Sequence, residues 1–561
     1  MADGPLLEIE SLTFRYRRAT EPAIRDVSLS LAPGEVLLVA GPSGCGKSTL
    51  IRAINGLIPH AYSGELAGAV RLLGRSTVDL RLREIALSVG TLLQDPAKQI
   101  VGSTVEAELA FGPENLAWAP MEIRDRIAAV MEEAGIGALA GRETHALSGG
   151  ERQLLAMAGA LMLRPKLYVV DEPLANLDPA TARRLLGTLR TLADAGHAVV
   201  IVEHRVEEAL DLQPDRVLYL DAGSVAYLGP VEGFLKVADP DAVKLPFEVV
   251  LERERARQGP AADLPRAARR TALRTDPSRL AFTDVHVSLG EREVLTGLTA
   301  DLRSHEVVAV LGPNGSGKTT MFRTGMGLIR PSDGAVDVDG APTGKRTVAD
   351  LARVFGYVFQ SPSQMLFSRT VRDELLFGPR NLGHAIGDPD LFSHAVLRRT
   401  SLDALEGILE RAPMTLSFGQ QKRLALAIAL ALEPPTLILD EPSAGQDHQT
   451  ANRFMDEVLG IPGLESIYLV THDVDLALTR ADRILVLRDG RVVADGPPVT
   501  VIQDEERWRT CNLHRTSLMR ANLAWPPERG GFVDASSLAR QIVAAERAAA
   551  AAEGGSQVDR A

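Results

Sequence analysis

One eight-residue stretch, present twice, constrains this chain more than anything else in it. The first copy is Gly41-Pro42-Ser43-Gly44-Cys45-Gly46-Lys47-Ser48 and the second is Gly312-Pro313-Asn314-Gly315-Ser316-Gly317-Lys318-Thr319. Both fit G-x-x-x-x-G-K-[ST], the pattern of a phosphate-binding loop. Each follows an apolar run of strand length, Val36-Leu37-Leu38-Val39 and Val307-Val308-Ala309-Val310, and each precedes a helix-like segment, 49–57 and 320–328. The glycines let the backbone curl so that several N–H groups face inward, and the helix N-terminus adds partial positive charge. A single match could be an ordinary glycine-rich turn. Two matches in the strand–loop–helix setting the motif needs are not explained that way.

The duplication extends well beyond the loops. Lys47 and Lys318 are 271 residues apart, Gln94 and Gln360 are 266, Ser148 and Ser417 are 269, Asp171 and Asp440 are 269, and His204 and His472 are 268. A nearly constant offset predicts two homologous domains in tandem, at 1–236 and 279–500. Residues 237–278 between them are rich in Pro, Ala and Arg, including Arg253, Arg255, Arg257, Arg266, Arg269, Arg270 and Arg274, and read as a solvated linker that is partly helical. Residues 501–545 form an extension containing Trp508 and Trp525, and 546–561 read as a disordered tail. The net charge of −12, with no long basic stripe, argues against nucleic acid as a partner. No apolar run reaches the ~20 residues that span a bilayer, and the start, Met1-Ala2-Asp3-Gly4-Pro5, lacks the pattern of a secretory leader. Two cysteines, Cys45 and Cys511, cannot build a disulfide framework, which suits a reducing compartment.

Within each half, apolar runs alternate with helical patterns, which predicts an α/β fold. Leu167-Tyr168-Val169-Val170 and Leu437-Ile438-Leu439 run into the acidic pairs Asp171-Glu172 and Asp440-Glu441, and two further runs, 198–202 and 467–470, end near His204 and His472. These are expected to be central parallel strands, whose C-terminal ends are where such sheets bind ligands. A carboxylate there can hold the Mg²⁺ of a nucleotide, and the glutamate after it can polarise an attacking water. Leu147-Ser148-Gly149-Gly150-Glu151 and Leu416-Ser417-Phe418-Gly419-Gln420 each open a helix. The serine is at least an N-cap, and at a helix N-terminus it can also clamp a phosphate.

Taken together, these motifs resemble a pair of ATP-binding cassettes of an ABC transporter fused in one polypeptide. The resemblance implies two P-loop NTPase domains, each with a RecA-like core, an antiparallel β subdomain and a helical subdomain. It further implies that ATP is gripped by Gly41, Ser43, Gly44, Gly46, Lys47, Ser48 and Thr49, and by Gly312, Asn314, Gly315, Gly317, Lys318, Thr319 and Thr320. Ser48, Gln94 and Asp171 would hold Mg²⁺ at one site, and Thr319, Gln360 and Asp440 at the other. Glu172 and Glu441 would activate water, with His204 and His472 against the γ-phosphate. Asp178 and Asp447 would communicate between the sites. The segment from Gln94-Asp95-Pro96-Ala97-Lys98-Gln99 into Thr104-Val105-Glu106-Ala107-Glu108-Leu109, with its counterpart from Gln360 into Thr370-Val371-Arg372-Asp373-Glu374-Leu375, is similar to the ATPases of energy-coupling factor importers. Those take up vitamins or transition-metal ions. The implied partners are an integral membrane transport subunit and a substrate-binding membrane subunit, which would place the chain at the cytoplasmic face of the membrane.

In that family the cassettes pair head to tail, so Ser148 and Gly150 would complete the site of Lys318, and Ser417 and Gly419 the site of Lys47. Two departures predict unequal sites. Phe418 replaces the first signature glycine, and Leu289 stands where Tyr16 offers a ring for adenine. Cys45, inside a loop, is expected to make hydrolysis sensitive to thiol reagents. A soluble tandem-cassette factor acting on ribosomes is the competing reading; it would carry a longer charged helical linker or cysteine-rich iron–sulfur domains. A sugar-importer ATPase of this type usually loses one catalytic glutamate, whereas Glu172 and Glu441 are both present.

Overall fold

The strand Val36–Ala40 is buried at all five positions, the pattern of a strand covered on both faces of its sheet. In the computed structural model, which describes residues 4–175, 177–257, 276–290, 292–525 and 532–558, it pairs in parallel with Ala198–Val202 on one side and Arg216–Asp221 on the other. Leu167–Asp171 and Val89–Leu92 extend the sheet in parallel, and Ser224–Gly229 closes the opposite edge antiparallel. Asn176, the linker arginines Arg266, Arg269, Arg270 and Arg274, and residues 559–561 of the tail lie outside the described residues.

The chain divides into two compact units with a boundary after residue 259, and with Gly445–Thr450 counted in the first. Each unit repeats one plan. In the first, a four-stranded antiparallel sheet runs in the order Ile24–Leu31, Leu7–Tyr16, Gly64–Leu72, Arg75–Ser76. Its strand Leu7–Tyr16 alternates buried and exposed residues at its start, as expected for a sheet with one wet face. Leu7, Leu12, Phe14, Ile24, Leu37, Val39, Leu50 and Val200 share one core between this sheet and the parallel one. The helices Val105–Asn115, Pro120–Glu133 and Gly149–Met162 form the helical part, and Thr104 and Ser148 cap two of them.

The second unit has the antiparallel order Arg292–Arg303, Ser278–Leu289, Asp333–Val338, Ala341–Pro342. Its six-stranded sheet runs Phe355–Val358, Thr436–Asp440, Ser466–Val470, Val307–Leu311, Arg483–Arg488, Arg491–Gly496. The helices Val371–Asn381, Pro389–Arg398 and Phe418–Leu430 share a core around Leu375, Leu397 and Leu424. The α/β expectation, with parallel strands ending at both acidic pairs, matches this topology.

Two stretches take part in packing that their composition did not suggest. Ala242, Val243, Leu245, Phe247 and Val250, from the segment read as solvated linker, are buried. Helix Phe247–Ala256 is tied back by Arg253, whose guanidinium donates to the carbonyls of Leu235 and Ala238. Past residue 500, Val501, Ile502, Trp508, Cys511, Leu513 and Met519 join the core of the second unit. Trp508 Nε1 donates to the Val501 carbonyl at 2.9 Å. The final helix, Ala535–Val558, takes in most of the stretch read as a tail. No helix among the described residues is long and apolar enough to cross a membrane.

Candidate functional site

Each glycine-rich loop joins the end of a central strand to a helix, Lys47–Ile54 in the first unit and Lys318–Gly325 in the second. Neither helix has a side-chain cap, which leaves its first N–H groups to an anion. The lysine is folded into its own loop. Lys47 Nζ donates to the carbonyls of Gly41 and Pro42 at 2.8 and 2.9 Å, and Lys318 Nζ to those of Gly312 and Pro313 at 2.8 and 3.0 Å. The turn into the first helix needs glycine: Gly46 has φ +105°, and a Cβ there would lie 2.5 Å from Ile24 Cγ2 and 2.6 Å from the Ala23 carbonyl oxygen. Gly317 repeats this with φ +99°. Ser43, Gly44 and Gly315 are exposed, while Ser48, Asn314 and Thr319 are half-buried and Thr49 and Thr320 buried. A cradle of backbone N–H groups around a captive ammonium fits a chain of phosphates.

The acidic pairs sit at strand ends as expected, but in an uncommon backbone conformation. Glu172 and Glu441 have φ +49° and +51°, a left-handed state that costs a non-glycine residue ~1–3 kcal/mol and persists only where its surroundings impose it. Their N–H groups donate to the Val202 and Val470 carbonyls at 2.9 and 2.8 Å. His204 Nε2 lies 3.0 Å from Glu172 Oε1, and His472 Nε2 lies 3.2 Å from Glu441 Oε1. Gln94 Nε2 donates to Glu172 Oε2 at 2.8 Å. The structure thus brings Gln94, Glu172 and His204 together in the first unit, and Glu441 and His472 in the second.

The carboxylates differ in their electrostatics. Burial pushes Asp171 up to about 7, and the neighbouring Glu172 charge adds to it. Burial also works against the Glu172 charge, but His204, Lys47 and Gln94 outweigh it and hold that carboxyl below its usual range. Burial raises Asp440, against hydrogen bonds from Tyr357 and Thr319. It raises Glu441 as well.

Asp171 Oδ1 is buried without a hydrogen-bond partner, whereas Asp440 accepts from Thr319 Oγ1 at 3.1 Å and from the Tyr357 hydroxyl at 2.6 Å. An orphan carboxylate oxygen beside the Ser48 loop fits a hard divalent cation. Among the described residues no cluster of three or more His, Cys, Asp or Glu side chains could hold a metal alone, so the remaining ligands would be hydroxyl, amide and phosphate oxygens.

Ser148 and Ser417 are N-caps in capping boxes, accepting the N–H of Glu151 and Gln420 at 3.3 Å each. Phe418 is exposed, and Gly150 and Gly419 lie in the first turn of the same helices. Asp178 caps the helix Pro179–Asp194, and Asp447 accepts the Thr450 N–H at 2.7 Å. Tyr16 ends the strand Leu7–Tyr16, and its hydroxyl lies 3.1 Å from Thr49 Oγ1 and accepts from Arg52 Nη1 at 2.8 Å. Leu289 ends the matching strand Ser278–Leu289 and is half exposed.

Several residues that sequence reasoning passed over organise these groups. Glu108 and Glu374 fold the segment after each loop glutamine: one carboxylate accepts the N–H groups of Val101 and Gly102 at 2.8 and 2.7 Å, the other those of Phe367 and Ser368 at 3.0 and 2.8 Å. Gln99 pins the same segment in the first unit, from its amide to the Thr91 carbonyl at 3.0 Å. Met365, five residues after Gln360, stands in its place in the second unit, so the glutamine spacing holds in one half only. Glu203 accepts the N–H groups of Leu174, His204 and Arg205 at 2.8, 3.0 and 3.2 Å, and burial holds it up at about 7. Thr471 takes that position in the second unit, and there the His472 N–H turns to Glu441 Oε2 at 3.1 Å. The signal for Glu203 was its place between an apolar strand and His204.

A family model described as ABC transporter matches residues 24–175 and 295–444. A protein of Methanosarcina acetivorans, provisionally named an ABC transporter ATP-binding protein, is 33% identical over 548 residues, covering 91% of this chain and 89% of its own. Proteins of Vibrio vulnificus and Lactiplantibacillus plantarum with the same provisional name are each 32% identical, over 91% and 92% of this chain and 93% and 95% of theirs. A solved structure of cbiO1 from Clostridium perfringens, part of the ABC transporter complex cbiONQ, is 31% identical, covers 42% of this chain and 95% of its own, and has a TM-score of 0.37.

Proposed function

This chain belongs to the ABC transporter ATP-binding family, and on that premise we propose that it is the ATPase subunit of a membrane importer of the energy-coupling factor type, serving uptake of a vitamin or a transition-metal ion. Members of the family hydrolyse ATP and typically bind it with Mg²⁺. The observation that carries the reading is the doubled constellation: in each unit a strand-end glutamate at left-handed φ sits beside a histidine, with a lysine-closed phosphate loop on the adjacent strand.

In this reading the loops of Lys47 and Lys318 bind the phosphates through backbone N–H groups and the ammonium. Ser48, Gln94 and Asp171 hold Mg²⁺ at one site, and Thr319, Gln360 and Asp440 at the other. When bound, Mg²⁺ neutralises phosphate charge. Glu172 and Glu441 orient and polarise the attacking water, and His204 and His472 donate toward the γ-phosphate. Tyr16 stacks on adenine.

Each half supplies what the other lacks, with Ser148 and Gly150 serving the Lys318 loop and Ser417 and Gly419 the Lys47 loop. One polypeptide keeps the partners at high effective concentration. Nucleotide contacts that exist only in the paired form bias closure, and hydrolysis removes them. That cycle would drive membrane subunits from the cytoplasmic face. The importer type rests on the segments after Gln94 and Gln360, where Glu108 and Glu374 fold matching turns.

The test is purification of the full chain from membranes. Co-purification with an integral membrane protein that stimulates its ATPase supports the proposal. Co-sedimentation with ribosomes, with no membrane partner, overturns it in favour of a soluble factor.

A further inference from the structure

Lys422 lies within the helix Phe418–Leu430 and is fully buried, at 0% exposure. Lysine head groups ordinarily stay in water. Here Nζ donates to three carbonyl oxygens, those of Glu441 at 3.4 Å, Ala444 at 3.2 Å and Pro442. All three belong to the turn that leaves the strand Thr436–Asp440 and carries Glu441. An ammonium has three N–H donors and no acceptor, so three carbonyls are its complement. The rings of Phe418 and Phe454 each lie 6.0 Å from Nζ, within cation–π range. Burial alone pushes the ammonium down to about 7, and these contacts are what favour its charge.

A side chain needed only for volume would be apolar, since burying a charge carries a desolvation cost. What the ammonium adds is a hold on a strained residue. The left-handed backbone of Glu441 is fixed on its N–H side by the Val470 carbonyl at 2.8 Å, and on its carbonyl side by Lys422. The first unit has Gln153 at the matching position, and Gly149 where Phe418 stands; both pairs are 269 residues apart, the offset of Ser148 from Ser417. The two departures therefore fall one helical turn apart.

We infer that Lys422 is a positioning residue for Glu441, tying the helix opened by Ser417 to the turn that presents the carboxylate. The inference rests on the reading of Glu441 as the group that polarises water. It implies that the second unit holds its catalytic turn with an ammonium where the first has a shorter, neutral amide.

The test uses the full chain with Lys422→Met, Lys422→Gln and Glu441→Gln. The readouts are kcat and KM for ATP hydrolysis, and binding of a fluorescent ATP analogue without turnover. The part of kcat that Glu441→Gln abolishes is expected to fall about tenfold in Lys422→Met, the order of loss for a misplaced catalytic group. KM and analogue binding should stay within about twofold. Lys422→Gln, which restores two N–H donors at shorter reach, should land between. Wild-type kcat in folded Lys422→Met overturns the inference, and so does a parallel loss of kcat and binding, which marks a packing role. Should Lys422→Met not fold, Lys422→Gln decides: a few-fold lower kcat at unchanged binding supports positioning, and unchanged kcat refutes it. If Glu441→Gln leaves kcat intact, the reading of Glu441 fails first; if it abolishes turnover while Lys422→Met does not, only the role of Lys422 fails.

Discussion

Replacing Trp508 with Ala removes a side chain that is 2% exposed and packed in the core of the second unit. Truncating a buried tryptophan to alanine costs about 3–5 kcal/mol. The value should fall in the upper half of that range, because the Val501 carbonyl also loses its donor at 2.9 Å, worth about 1 kcal/mol. Trp508→Phe keeps a ring in place and gives up the N–H, for about 1–2 kcal/mol. The chain has three tryptophans, Trp118, Trp508 and Trp525. In a Trp118→Phe background, Trp525 is therefore the single tryptophan of both Trp508 variants, and its fluorescence reports unfolding of the second unit in urea. With a slope of about 3 kcal/mol per molar for a unit of this size, the alanine variant should unfold about 1 M earlier than the phenylalanine variant. A difference below about 0.3 M would mean that the extension beyond residue 500 merely rests on the second unit, and the reasoning would be wrong.

Other expectations follow from the loops. Gly46→Ala should lower ATP affinity more than tenfold and reduce Tm, since strain at φ +105° adds to contacts of 2.5 and 2.6 Å. Gly44→Ala has open space and only the strain of φ +80°, about 1–2 kcal/mol, so its affinity should change by a few-fold; equal losses in the two variants would refute this. Cys45 is buried and its thiol is raised by that burial, so N-ethylmaleimide at pH 7 should modify it slowly and faster as pH rises; modification within seconds at pH 7, absent in Cys45→Ser, would contradict the buried placement. Leu289→Tyr, at an exposed strand end, should tighten nucleotide binding to the Lys318 loop by about 1–3 kcal/mol of stacking, read by titration in a Lys47→Ala background; unchanged affinity would remove adenine stacking from the account.

The strands, the loops and the acid-histidine groupings were legible because each is written locally and written twice. A buried parallel strand needs an unbroken apolar run, and Val36-Leu37-Leu38-Val39 is one. The histidines could be paired with the glutamates because a parallel sheet aligns the ends of its strands. Other features were not legible, for the opposite reason. Gln94 reaches Glu172 across 78 residues, and nothing in either neighbourhood announces the pairing. Lys422 sits in an amphipathic helix where a lysine reads as solvated, and only the packing of that helix under the 441–444 turn shows otherwise. Arginine-rich composition made residues 237–257 look like linker, although Phe247 and Val250 carried the spacing of a packed helix face. The glutamine spacing near Gln360 looked duplicated until register placed Met365 at the fifth position.

The core that takes in Trp508 and Met519 also holds Val307, and those ends are 212 residues apart (519 − 307). At the ~5–20 residues per second of synthesis, roughly 10–40 s separate the emergence of that strand from arrival of the helix that seals it. The core shared by the first unit's two sheets draws on Leu6 to Leu220, all made earlier. During translation, then, the apolar face that waits longest for its cover belongs to the later half, and a ribosome-associated holdase would find its work there.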